Sequence, residues 1–280
     1  MIYFSNTNMN SQFHETFTDV IDNTIIDNMV DKIYAKIYDT IFSNNKIHEI
    51  NTDKILKYIN SKHTNKDNIK ILDAGCRTGN HYKYLNEKYI TIGVDNSAEL
   101  LKYATIRNPN GKFIEDDLKN KKLFKEKEFS DIVSLLDSLY YQTNETDLKK
   151  VLQNFYFWLK DNGNLYVHIF DRELLDPAPR DYTQYYKDKS GIRHGLTYFN
   201  KFTHDAYWME DKTDKDSMIY VETIVLEDGR KTKKETRIMV PEDKTKIIKN
   251  ITDSGFKLKN IEKIEGESGI SLYIFSKVVS

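Results

Sequence analysis

Between Asp22 and Ile59 the apolar residues Ile25, Ile26, Met29, Ile33, Ile37 and Ile41 recur at intervals of three and four. That is the period of one helix face, and it predicts a helix here and a second over 46–60. The first twenty residues are polar and irregular and read as a loose arm. From Ile69 onward the rhythm changes, and short apolar runs alternate with helical segments. "IKILDAG" reads as a buried strand and "HYKYLNEKY" as a helix. "ITIGVD" (90–95) is the next strand and "AELLKYATIRN" (98–108) the next helix, with Asn96 or Ser97 placed to cap it. "GKFIEDDL" (111–118) and "FSDIVSLLDSL" (129–139) each hold a strand. "ETDLKKVLQNFYFWLKDNG" (145–163) predicts an amphipathic helix stopped at Asn162-Gly163, and "NLYVHIFD" (164–171) a further strand.

Strands that alternate with helices and are almost continuously apolar predict a parallel sheet covered on both faces. Ligands in such sheets bind beyond the C-terminal ends of the strands. The alternation breaks after Asp171. Residues 172–190 carry Pro177, Pro179 and the run "DYTQYY", and read as irregular. "GLTYFNKF", "DAYWME", "SMIYVETIVLED" and "KKETRIMVP" follow as strands, with "EDGR" (227–230) a hairpin turn, so an antiparallel insertion is expected. "EDKTKIIKNITDSGF" (242–256) predicts a helix ended by Gly255, and "KLKNIEKI" with "ISLYIFSKV" a closing hairpin. Four units result: arm and helices (1–65), α/β core (66–171), β insertion (172–240), and closing helix and hairpin (241–280).

Composition narrows the class without naming the chemistry. A chain of 280 residues, 39 % hydrophobic and 30 % charged, suits a soluble protein able to bury a full core. Its formal net charge of −1 gives no global attraction for nucleic acid or an anionic membrane. The basic run "KNKKLFKEK" (119–127) is interleaved with an acid and reads as a solvated face. Cys76 is the only cysteine, so neither an internal disulfide nor a cysteine-based metal cluster can form. This fits a reducing, cytoplasmic location. The start "MIYFSNTNMNSQF" has no signal-peptide pattern, and no run approaches the roughly 18 apolar residues of a membrane span.

Three features fall at the predicted strand ends. The turn Asp73-Ala74-Gly75-Cys76-Arg77-Thr78-Gly79 has glycines that allow close approach of backbone to a ligand. Asp95 closes the next strand, where an acid can accept both hydroxyls of a ribose. Glu115-Asp116-Asp117 follows, where a carboxylate can accept from an exocyclic amine.

With "ILDAGCRTG", "GVDNS", "FIEDDL", "DIVSLLDSLYY" and "LKDNGNLYVHI" in this order, the chain resembles the class I S-adenosylmethionine (SAM)-dependent methyltransferases over roughly 30–171 and the C-terminal hairpin. The resemblance implies a Rossmann-like, mostly parallel sheet whose last strand is antiparallel, with N-terminal helices and a β insertion after the fifth strand. It implies SAM as cofactor and S-adenosylhomocysteine as product. Asp73, Ala74, Gly75, Cys76 and Gly79 would border the amino-acid end of SAM, with His81 just beyond. Asp95 and Asn96 would hold the ribose, Asp116 and the backbone of Asp117 the adenine, and Leu136 to Ser138 would flank the sulfonium. Arg77 departs from the pattern, standing where the family has its middle glycine. It could obstruct the cofactor, project outward, or pair with the cofactor carboxylate.

"CRTGNHYKYL" and "KIYAKIYDTIF" (32–42) further resemble bacterial N-methyltransferases of nucleotide-linked amino sugars and the glycine N-methyltransferase type. By that likeness the acceptor is a small amine, an amino sugar or an amino-acid-like molecule. Tyr34 and Tyr38 would be lid residues near the methyl, Asp137 would orient the amine, and His194 is a candidate base. The insertion would contact substrate and support a homodimer. Each position also has a plain structural alternative, as core aromatic, loop cap or surface histidine. Three other classes stay open: a catalytically degenerate SAM-binding or partner-stabilising subunit, an RNA or protein methyltransferase, and another nucleotide-binding α/β protein.

Overall fold

A computed structural model describes residues 23–42, 45–63, 68–136, 138–142, 144–175, 183–264 and 269–278. The expected N-terminal arm, Asp137, Pro177 and Pro179 lie outside the described residues. The isoleucine-periodic segment forms α1 (Asn23–Phe42) and α2 (Asn45–Lys62). The alternating segment then gives β1 (Lys70–Ala74), α3 (Asn80–Asn86), β2 (Ile90–Asp95), α4 (Ala98–Arg107), β3 (Lys112–Glu115), β4 (Phe129–Ser134), α5 (Glu145–Trp158) and β5 (Leu159–Phe170). After the insertion come α6 (Thr245–Asp253), β11 (Phe256–Lys263) and β12 (Ile270–Lys277).

Seven strands make one sheet in the order β3-β2-β1-β4-β5-β12-β11. The first five are parallel, while β12 runs antiparallel to both β5 and β11. Every residue of β4 is buried, as a central strand covered on both faces requires. One face packs Leu148, Val151, Leu152 and Phe155 of α5, the apolar stripe that the sequence predicts. Each such buried side chain contributes roughly 1.5–3 kcal/mol. Across the sheet, Ile55, Leu56 and Ile59 of α2 cover the other face. Asp131, buried on β4, accepts from His63 Nε2 at 2.7 Å and Lys62 Nζ at 3.2 Å, which ties the end of α2 to the sheet.

Helix α5 ends at Trp158, earlier than the Asn162-Gly163 stop expected from sequence. Leu159 has extended backbone and joins the sheet opposite Phe129. The indole N–H of Trp158, fully buried, donates to the Lys121 carbonyl at 3.1 Å. Strand pairing and this anchor outweigh the local helical signal.

The insertion is a second, five-stranded antiparallel meander: β6 (Gln184–Lys187), β7 (Arg193–Phe199), β8 (Phe202–Glu210), β9 (Met218–Leu226) and β10 (Lys231–Ile238). Part of the tyrosine-rich run expected to be irregular is β6, an exposed edge strand paired with β7. The inner face of this sheet receives α1: Tyr34, Ile37, Tyr38 and Ile41 pack on Phe202 and Ile224. Helix α1 thus joins this sheet to the turn after β1, where Asp39 accepts from Thr78.

Candidate functional site

Asp73 on β1, Asp95 on β2 and Asp116 just past β3 stand at the C-terminal ends of three neighbouring parallel strands. The turn after β1 is held by its backbone: Gly75 N–H and Cys76 N–H both donate to the Val94 carbonyl, at 2.8 and 3.0 Å. Gly75 has φ +79, and a Cβ there would collide with the Ser138 side chain. Gly79, at φ +72, starts α3, and a Cβ there would meet Asn108 Nδ2 at 2.7 Å. Glycine is therefore required at 75 for space as well as for backbone conformation, and at 79 for its left-handed φ.

Arg77 adopts φ +50, a left-handed conformation that a side chain disfavours. Its N–H donates to Asp95 Oδ2 at 2.9 Å, while Asp95 Oδ1 accepts from Ser97 N–H at 3.0 Å. One carboxylate thereby fixes two loops. Burial raises the Asp95 carboxyl above its ordinary value, and these backbone bonds and Arg77 oppose the rise. The Arg77 side chain turns inward, its Cζ 5.8 Å from the centre of the Tyr141 ring. Burial alone would lower its pKa, but Tyr38, Tyr141 and Asp95 more than offset that and keep it cationic.

Helix α1 is latched over this turn. Asp39 accepts from Thr78 Oγ1 at 2.6 Å and from Asn80 Nδ2 at 3.1 Å, and forms an ion pair with Arg107 at the end of α4. Arg107 also donates to the Thr78 carbonyl at 3.0 Å. Tyr38 and Tyr34 follow on the same helix, with ring centres 5.7 Å apart. On the other side, His81 Nε2 lies 3.1 Å from His48 Nδ1 on α2. Burial, reinforced by His48, His168 and Arg77, holds the His81 pKa well below its usual value. His168 on β5 is pushed to about 3, first by burial and then by Arg77 and His48. Its Nδ1 accepts the Leu136 N–H at 2.9 Å, which supports a loop residue at φ +53.

Sequence-expected positions separate at this point. Asp73, Gly75, Cys76, Arg77, His81 and Leu136 border one cleft together with Tyr38. Asn96 is exposed. Asp116 accepts from Asp117 N–H at 2.7 Å and from Asn120 Nδ2 at 3.0 Å, so its carboxylate is turned onto its own loop. His194 lies elsewhere, on the opposite face of the second sheet from the α1 contact. There it meets Asp205 at 3.1 Å and Tyr186 Oη at 3.0 Å. Tyr141 and the Asp39 latch were not singled out by the sequence, since neither carries a local pattern.

Residues 71–163 match the family model described as a methyltransferase domain. The core is a class I SAM-dependent methyltransferase domain. No curated protein sequence matches the chain. Among solved structures it is similar to a SAM-dependent methyltransferase from Clostridium acetobutylicum ATCC 824, at 18 % identity and TM-score 0.66 over 90 % of this chain and 99 % of that one. It is also similar to SAM-bound CalS10, an amino pentose methyltransferase from Micromonospora echinaspora, at 12 % identity and TM-score 0.62 over 94 % of this chain and 100 % of that one. The sugar N-methyltransferase KedS8 from Streptoalloteichus sp ATCC 53650 matches at 12 % identity and TM-score 0.61 over the full length of both chains. At such identities the likeness is one of fold, and it extends beyond the methyltransferase core.

The cofactor of this domain is SAM, which carries an ammonium, a carboxylate, a sulfonium, a ribose and an adenine. The residues present suit it chemically. Asp73 Oδ2 is buried without a hydrogen bond among the described residues, a vacancy that an ammonium satisfies. Each Asp95 oxygen accepts one backbone N–H and keeps a lone pair for a hydroxyl. Room is the exception. The cleft holds about 20 Å³, one water's worth against the roughly 300–1,000 Å³ of a ligand pocket. Arg77, Tyr38 and Phe42 are among the side chains that line this small space. A larger hollow of about 500 Å³, lined by Asn68, Tyr89 and Lys112, sits at the opposite ends of the strands and is not where such sheets bind ligands.

Proposed function

We propose that this protein transfers a methyl group to the nitrogen of a small amine, an amino sugar or an amino-acid-like molecule. The observation that carries this reading is the enclosure of the cleft. Helix α1 covers it with Tyr38 and Phe42, and the inner face of the second sheet backs that helix through Phe202 and Ile224. An enclosed aromatic chamber suits a small acceptor better than an RNA or protein chain. The sugar N-methyltransferase activity named for KedS8 supports the same direction.

In this reading Asp73 takes the cofactor ammonium, Asp95 the ribose hydroxyls, and Asp116, once released from its loop contacts, the adenine amine. SAM supplies an electrophilic methyl. The chain's own work is to orient the acceptor, exclude water and remove a proton from the amine, and positioning alone can supply much of the acceleration. Tyr34 and Tyr38 close over the reacting groups, and their aromatic faces favour a cation. Asp137 is placed by sequence to help orient the amine. The outer face of the second sheet, with exposed Tyr186 and Tyr198, would carry a homodimer contact.

A screen of amines for S-adenosylhomocysteine release tests the proposal, and turnover of hydroxyl acceptors alone would defeat it. One observation favours a second reading, a SAM-binding subunit without turnover: Arg77 occupies space in the cleft. Calorimetric titration with SAM decides between loss of binding, binding without turnover, and a working enzyme.

A further inference from the structure

The inner face of the second sheet holds a buried carboxylate–imidazole contact that the cofactor site does not use. Glu222 on β9 and His204 on β8 are 2 % and 0 % exposed. Glu222 Oε1 lies 3.0 Å from His204 Nε2, and His204 Nδ1 is buried without a hydrogen bond among the described residues. Taking a carboxylate and an imidazole out of water costs more than burying apolar side chains of similar size. The surroundings of this pair point to a ligand. Register places Ala206, a small side chain, and Lys234 beside Glu222 on the neighbouring strands. Lys234 Nζ lies over the Tyr34 ring at 4.0 Å, and Phe42 meets His204 edge-on at 6.1 Å.

The same tyrosines link this pair to the cofactor cleft. Burial first, and then the Glu222 carboxylate, push the Tyr34 phenol well above its ordinary value. Glu222 also acts on Tyr38 and Tyr141, the two phenols that Arg77 influences in the opposite direction. These tyrosines thus feel both a cation from the turn after β1 and a carboxylate from the insertion. Phe42 lines the cleft and its ring meets His204, so the carboxylate–imidazole pair stands one aromatic ring behind the cleft wall.

We propose that Glu222, oriented by His204, is the acceptor subsite and takes a protonated primary or secondary amine, with Tyr34 and Tyr38 facing the cation. The ammonium donates N–H hydrogen bonds to the carboxylate. A proton passing from nitrogen to a Glu222 oxygen leaves a neutral amine with its lone pair free and a carboxylic acid beside His204. This assignment rests on the N-methylation reading and adds the residues that recognise the amine.

The test uses the full chain with cyclohexylammonium as probe and neutral cyclohexanol as control, both followed by saturation-transfer NMR. Wild type is expected to bind the ammonium about tenfold more tightly than the alcohol, as a charge-assisted bond implies. Glu222→Gln should lose that preference and keep its alcohol binding. A wild type without preference, or a Glu222→Gln variant that retains it, overturns the proposal. If Glu222→Gln does not fold by circular dichroism, Glu222→Asp replaces it. Its withdrawn carboxylate should weaken ammonium binding several-fold relative to alcohol, and an unchanged ratio is again fatal. Amine turnover with an unaltered amine KM in the Glu222 variant removes the subsite alone. Ammonium preference without turnover of any amine removes only the N-methylation reading.

Discussion

The backbone N–H of Arg77 donates to Asp95 Oδ2 at 2.9 Å, so the acid of the second strand also shapes the turn after the first. Asp95→Ala removes an acceptor from two partly buried backbone donors. It is expected to cost about 1–3 kcal/mol of stability and to weaken SAM roughly tenfold or more. Urea denaturation and calorimetry measure the two effects. A stable variant with unchanged affinity would show that Asp95 serves neither role.

Arg77 places a positive charge in the cleft of a cofactor whose sulfur is cationic and whose product is not. Repulsion acts on SAM and spares S-adenosylhomocysteine at the sulfur. Arg77→Gly should therefore raise SAM affinity several-fold more than that of S-adenosylhomocysteine. Equal changes for both ligands would mean that the guanidinium swings clear on loading, and loss of both would make it part of the binding site.

Asp39 joins α1 to Thr78, Asn80 and Arg107. Asp39→Ala leaves a guanidinium and a hydroxyl without their shared acceptor. We expect faster hydrogen exchange across α1, and a stability loss of about 1–3 kcal/mol. Exchange confined to the helix N-terminus, with α1 otherwise unaltered, would contradict the latch.

Burial, with the Asp95 charge second, raises the Asp73 carboxyl to about 7. The folded protein then holds a proton that the unfolded chain releases near pH 4, so stability contributed at this site falls as pH rises from about 4 to 7 and is level above that. A cofactor ammonium needs the ionised form, so SAM affinity should climb through pH 7. Asp73→Asn should flatten both profiles, read by urea melts from pH 4 to 8 and by titration calorimetry across the same range.

The parallel core was legible because its signals are local. Short apolar runs, amphipathic helices and a glycine turn ahead of Asp95 and Asp116 need no knowledge of distant contacts. The methyltransferase-domain match over 71–163 and the sheet order agree with that reading. What stayed hidden depends on tertiary pairing. Leu159 left the helical pattern because Phe129 offers a strand partner. Strand β6 is an exposed edge whose sequence shows no alternation. The Asp39–Arg107 pair joins residues far apart in sequence and has no local trace. Glu222 did leave one in "MIYVETIVL", the one charge in a mostly apolar strand, but only the contact with His204 gives it meaning.

Strand β12 lies between β5 and β11, while the entire second sheet and α6 are threaded between β5 and β12. During synthesis the chain must therefore hold β5 as an unpaired edge until the last strands arrive. Closing so long a loop is costly in entropy and slow. All five strands of the second sheet precede β12 in the chain and pair only with one another, so that sheet can close while the larger one still lacks its last two strands.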